Sequence, residues 1–152
     1  MTREIPPVGA ALASFTVRSS ARIQFIDITD QVGATVRRAG AGDGFALVRC
    51  PHTTAAVACT EPDPALLEDA TTFIQDLLPL SRRYRHLEEG PENARAHLAA
   101  LLLGSSTWAP VSAGQLRLGT WQRLFFVELF GPRVRRVEVA FVPASEPPRD
   151  AQ

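Results

Sequence analysis

The chain of 152 residues contains no lysine: all 16 of its basic residues are arginine. That absence excludes Schiff-base chemistry on a lysine, a phosphate-binding P-loop lysine and a lysine general base. An anionic ligand has to be met by arginine, by backbone N–H groups or by a metal, and the planar guanidinium fork suits phosphate and carboxylate oxygens. Cysteine is scarce too. Cys50 and Cys59 are the only two and lack C-x-x-C spacing, and the two thiols are expected to stay reduced. Net charge is also missing, since 16 acidic residues balance the 16 arginines. Without a basic excess, no nucleic-acid partner is expected. Long apolar runs are absent as well: the longest, around Leu98 to Leu103, is far too short for a bilayer, so no membrane span is expected. Met1 to Ala13 lacks an apolar stretch behind a basic start. A cytoplasmic protein with reduced thiols is therefore expected.

What is present fits a packed domain. Hydrophobic residues make up 45% and charged residues 21%, a globular rather than a disordered balance. Pro-rich, polar ends at Ile5-Pro6-Pro7 and Ser145-Glu146-Pro147-Pro148 predict a flexible N-terminus over 1–12, a single domain over 13–143 and a disordered tail over 144–152.

Within the domain, Phe15, Val17 and Ser19 alternate with Thr16, Arg18 and Ser20, which predicts a strand. A helix is predicted over Asp30 to Ala39, capped by Thr29, favoured by Asp30 in its first turn and stopped by Gly40. Strands follow at Phe45 to Cys50 and Ala55 to Thr60. Asp63-Pro64 opens a second helix, with Leu66, Ala70, Phe73 and Leu77 as its core stripe, widened by Leu67, Ile74 and Leu78. Asn93 is expected to cap a third helix that buries Leu98, Leu101 and Leu102 and ends at Gly104. The last third predicts a hairpin around Ser112-Ala113-Gly114 and a second strand pair, Trp121 to Leu129 with Arg135 to Val142, around Gly131-Pro132. The order implies a single compact α+β domain with about three helices and a largely antiparallel sheet.

Candidate functional residues are few. His52 follows a strand in Pro51-His52-Thr53-Thr54-Ala55, His86 sits in a polar segment, and His97 lies one turn before Leu101 on the third helix. Their spacing matches no metal-binding pattern, so spacing alone does not join them. Cys50 is either a further ligand beside His52 or a small buried hydrophobe. Glu61 and Asp63 are candidate acid/base or metal carboxylates, although Asp63 doubles as a helix cap. In Gly119-Thr120-Trp121-Gln122, a strand would put Thr120 and Gln122 on one face, leaving Trp121 as either a ligand wall or a core residue. Glu128, of matching parity, would need a partner if buried. Among the arginines, Arg133 stands out because it follows a turn near the Trp-Gln segment; Arg82, Arg83, Arg85, Arg135 and Arg136 read mainly as solvated.

Taken together, His52-Thr53-Thr54-Ala55, Tyr84-Arg85-His86, Ala96-His97-Leu98 before Leu103-Gly104-Ser105-Ser106, and Gly119-Thr120-Trp121-Gln122 followed by Glu128 and Gly131-Pro132-Arg133 resemble the YjbQ family. The resemblance spans Phe15 to Val142. It implies a YjbQ-like α+β fold assembling as a homotrimer, with the shared polar residues near subunit contacts. All three histidines fall on family motifs, and Glu61 matches an acidic position. Thr60 stands where the family usually has Asn, and Arg123 where glycine commonly follows Trp-Gln.

The resemblance implies two functions. One is a thiamine-phosphate-synthase-type transferase acting on phosphorylated small molecules. In it His52, His86, His97 and Glu61 serve as catalytic groups, Thr53, Thr54, Trp121, Gln122 and Arg133 bind substrate, and the histidines alternatively hold a divalent metal, zinc or magnesium. The other is a non-catalytic trimer that binds a metal or metabolite in the same pocket.

Overall fold

The computed structural model describes residues 12–144. Apart from Leu12 and Ala144, the expected flexible ends lie outside the described residues.

Eleven elements follow in the order β1 (Leu12–Arg18), β2 (Gln24–Asp27), α1 (Thr29–Arg38), β3 (Gly44–Arg49), β4 (Ala55–Thr60), α2 (Pro64–Leu77), α3 (Pro91–Leu103), β5 (Ser106–Ser112), β6 (Gln115–Leu116), β7 (Arg123–Glu128) and β8 (Val134–Pro143). The strands form a five-stranded sheet ordered β1-β8-β3-β5-β6 and a three-stranded sheet ordered β2-β7-β4. Every strand pairing is antiparallel.

Two apolar clusters follow from strand parity. Leu124 and Phe126 of β7, with Ala55 and Val57 of β4, meet Val48, Val137 and Val139 of the larger sheet and Val32 and Val36 of α1. The alternate residues, Phe125, Val127 and Ala56, meet Ile74 of α2 and Ala96, Ala99 and Ala100 of α3. The middle strand of the small sheet is thus covered on both faces, which explains its unbroken apolar run. Phe126 is fully buried, and burial on that scale stabilises by roughly 1.5–3 kcal/mol.

The helices correct several expectations. α3 buries its alanines, while Leu101 and Leu102 are 79% and 67% exposed. Ala96, Ala99, Ala100 and Leu103 form one i, i+3, i+4, i+7 stripe, and Leu98, Leu101 and Leu102 form a second beside it. Only one can face the sheet, and small side chains let the helix approach closely. α2 behaves likewise: Ile74 is buried, whereas Leu66, Phe73 and Leu77 face outward. Asn93 is no cap, because Gly90 takes that position before Pro91 and Asn93 is buried inside the first turn. Thr29 is already helical behind Ile28, and its N–H is met by Asp27 Oδ1 at 2.9 Å. Asp63 caps α2 as expected, accepting from the Leu66 N–H at 2.8 Å.

The β5–β6 hairpin turns at Ala113-Gly114, both at positive φ (49° and 73°), the two-residue turn whose twist suits a hairpin. The second expected hairpin does not form. β7 pairs with β2 and β4, β8 pairs with β1 and β3, and the chain between them crosses from one sheet to the other. Gly131 permits that crossing: a Cβ there would collide with the Ala21 carbonyl oxygen and come within 2.7 Å of Ser19 Oγ.

Candidate functional site

His52 sits in the β3–β4 connection. The ladder between β3 and β8 stops at Arg49 opposite Glu138. The next free N–H along β8, that of Arg136, donates to Nε2 of the His52 ring at 2.9 Å. The imidazole therefore finishes a sheet edge that the backbone leaves open. Burial, and then the positive charge of Arg135, hold the His52 pKa below its usual value of 6.5. Both causes favour the uncharged ring.

His52 and His97 line one hollow of about 430 Å³, together with Thr53, Ala55, Leu101 and Ser105. His97 also lines a second hollow of about 420 Å³, with Tyr84, Arg85, His86 and Leu98. The His86 and His97 rings meet edge to face with centroids 5.1 Å apart. The loop carrying Arg85 and His86 is anchored by buried Tyr84, whose hydroxyl donates to the Pro79 carbonyl at 2.9 Å. His97 thus joins the two hollows and brings the three histidines into one neighbourhood. Among the described residues, however, no three His, Cys, Asp or Glu side chains converge closely enough to hold a metal ion.

Behind His52 lies a buried ionic cluster. Glu128 is fully buried and receives Arg135 Nε at 2.8 Å and Nη2 at 2.6 Å, Ser19 Oγ at 3.1 Å, and the Leu129 and Phe130 N–H groups at 3.1 and 2.9 Å. Arg135 also donates to Thr54 Oγ1 at 2.9 Å. Burial opposes the Glu128 charge, but the Arg135 fork and the backbone N–H groups outweigh it and hold the carboxyl below its usual value. Parity along β7 signalled that Glu128 needs a partner. That the partner is Arg135, and that Ser19 closes the cluster from β1's end, carried no signal in the local sequence. Arg95 is a second buried arginine, and its Nε has no hydrogen-bond partner among the described residues.

Other expected site residues lie elsewhere. Thr54 is engaged by Arg135 and lines neither hollow. Glu61 is exposed beyond the far end of β4, roughly 20 Å along the strand from Ala55. Gly119 to Gln122 form a turn rather than a strand: the Gln122 N–H donates to the Gly119 carbonyl at 3.0 Å, and the Gly119 N–H donates to Gln122 Oε1 at 2.8 Å. Trp121, at 69% exposure, is no core residue. Arg123, at the family's glycine position, pairs with Asp27 at 2.8 Å and Asp30 at 3.3 Å. Arg133 packs over the Phe130 ring at 5.0 Å, donates to the Phe130 carbonyl, and comes to 4.0 Å from Glu89. Cys50 belongs to the main apolar cluster, and burial pushes its thiol pKa up. It packs as a small hydrophobe.

Comparison with known proteins bears on the family and the fold. The family model described as "UPF0047 protein YjbQ-like" matches residues 13–144. A UPF0047 protein of Archaeoglobus fulgidus is 47% identical over 124 residues, covering 82% of this chain and 95% of that one. The UPF0047 protein YugU of Bacillus subtilis is 36% identical over 126 residues, covering 82% and 93%. Among solved structures, a hypothetical protein of Aeropyrum pernix K1 superposes with a TM-score of 0.82 at 41% identity, covering 88% of this chain and 98% of that one. A protein of unknown function from Sulfolobus solfataricus P2 gives 0.83 at 34% identity, covering 89% and 98%.

Proposed function

The chain belongs to the YjbQ-like UPF0047 family, and from that premise we propose that it binds a small organic molecule across the two hollows joined at His97, working as a homotrimer. The observation that carries this reading is the sharing of His97: one ring borders both hollows and touches His86. Each hollow falls within the size range of small-molecule sites and combines apolar walls with a few polar groups. Among the described residues, Arg85 is the single guanidinium that borders them, and it suits an anionic end of the ligand. Self-association is supported by the outward stripe of Leu98, Leu101 and Leu102, which continues onto Leu77 of α2 around a further hollow. Leu101 also walls the first hollow, so a neighbouring copy seated on this stripe would narrow the site.

Thiamine-phosphate-synthase-type turnover is the catalytic form of the same reading. The thiazole nitrogen attacks the carbon carrying pyrophosphate, a C–N bond forms, and the C–O bond breaks with its electron pair leaving on pyrophosphate. Arg85 would face that leaving group, and His97 would lie between the two substrates, one in each hollow. Trp121, Gln122, Arg133 and Glu61 border neither hollow within one chain.

The test is a titration of the protein with thiamine monophosphate and with each precursor, followed by NMR of the histidine rings and by product analysis. Shifts at His97 with each ligand are expected. Rings unmoved by all three ligands overturn the binding reading, and binding without product above blank removes turnover. Leu101→Arg is expected to release monomers in light scattering while leaving the fold intact; an unchanged trimer overturns the role of this stripe.

A further inference from the structure

The geometry points to His52 as a fixed, neutral hydrogen-bond donor to an oxygen acceptor of the bound ligand, through Nδ1–H, and not as a metal ligand or a general base. The inference rests on the binding reading for its ligand but on bond geometry for its tautomer.

A neutral imidazole has one N–H and one bare nitrogen. At His52 the Arg136 backbone N–H points at Nε2 from 2.9 Å. A backbone amide only donates, so Nε2 is the bare nitrogen and the ring proton sits on Nδ1. An imidazolium would set an Nε2–H against the Arg136 N–H, which the contact excludes. The Arg136 amide is held in turn: β8 pairs with β1 on its other side, opposite Thr16. Its neighbour Arg135 is locked to buried Glu128 and Thr54. The donor that sets the tautomer therefore cannot swing away.

Both nitrogens are thereby assigned. Nε2 spends its lone pair on the amide, and Nδ1 has no lone pair to offer a metal. Coordination through either atom would require breaking the Arg136 contact. The rest of the first hollow agrees in kind. Thr53, Ser105 and His97 are its other polar side chains, with no carboxylate or thiolate among them. Such a set neutralises no divalent cation but suits a carboxylate, carbonyl or phosphate-ester oxygen. The divalent metal implied by the family resemblance therefore does not fit His52. Among the described residues, no protein group takes the Nδ1–H, which leaves it for the ligand.

The experiment is long-range 1H–15N NMR of the histidine rings in the full chain at pH 7, with the His52 signals assigned by their loss in His52→Gln. In the ligand-free protein, the Nδ1–H tautomer is expected for His52. An Nε2–H tautomer or an imidazolium overturns the inference whatever the ligand proves to be. Zinc and phenyl phosphate are then added to separate samples. Phenyl phosphate is expected to shift the Nδ1–H signal, and zinc to leave both His52 nitrogens in place. A zinc-induced shift at His52 overturns the inference. So does phenyl phosphate that moves His97 without moving His52; if neither ring moves, the binding reading fails while the tautomer result stands by itself. His52→Gln retains an acceptor for the Arg136 N–H but loses the donor at Nδ1. It is expected to fold normally and to bind phenyl phosphate about tenfold more weakly, as loss of one hydrogen bond implies. Unchanged affinity in that variant also overturns the donor role.

Discussion

The small sheet has two unlike ends. Where β4 begins and β7 finishes, Ala55 stands opposite Glu128, and the polar groups around them are buried and saturated with partners. Where β4 finishes and β7 begins, Thr60 stands opposite Arg123, and the groups are open to water: Arg123 with Asp27 and Asp30, Trp121 beside them, Glu61 beyond. Residues of similar chemistry thus do different work. At the first end a carboxylate–guanidinium pair fixes the backbone that orients His52. At the second, a pair of the same kind is screened by water and ties the start of β7 to the end of β2.

The largest effect is expected at the buried end. Glu128→Ala leaves the Arg135 charge without its partner, and urea denaturation should show a loss of roughly 3–5 kcal/mol. Replacing both residues with apolar ones should recover much of that loss. A loss below about 1 kcal/mol in the single variant would place the two ends on the same footing.

Acid should separate the ends next. The folded-state pKa of His52 lies below its unfolded value, so its contribution is complete above about pH 6.5 and is lost as pH falls through the lower folded value. Glu128 has a lowered carboxyl pKa, so its contribution is lost further into acid, below its usual 4.5. Stability measured from pH 8 down to about 2 should fall in that order, and His52→Gln should flatten the first decline. An unchanged first decline in that variant would mean that His52 does not cause it.

Smaller changes are expected at the open end. Asp27→Asn should cost less than about 1 kcal/mol by the same urea measurement, because the Arg123 pair is partly exposed and screened. Trp121→Ala should change the stability of the isolated chain by no more than about 0.5 kcal/mol, given its exposure. A larger loss from Trp121→Ala in the assembled protein than in monomers made by Leu101→Arg would show that a neighbouring copy covers it.

The lesson of the helices is about size rather than pattern. Period located α2 and α3; the Asp63 cap of α2 forms as its residue type implies, whereas Gly90 and not Asn93 precedes α3. Hydrophobicity ranks Leu above Ala and so points the leucine stripe of α3 inward, while close packing against Ala56 and Phe125 selects the alanines. β7 and β8 were legible as strands but not as members of different sheets. Only the steric demand at Gly131 and the completed pairings reveal that crossing.

By itself, the sequence determined the α+β class, the position of most elements, the absence of lysine chemistry and, through its motifs, the family. Those properties are local or compositional: periodicity, turn residues and side-chain inventory act over a few positions. The tertiary structure decided which groups meet. His52 reaches Arg136 across 84 positions, and Thr54 reaches Arg135 across 81. His97 joins two hollows, while Trp121 and Gln122 stand at the opposite end of the sheet from His52. Sheet register sets such contacts, and register depends on the whole set of pairings rather than on any one segment.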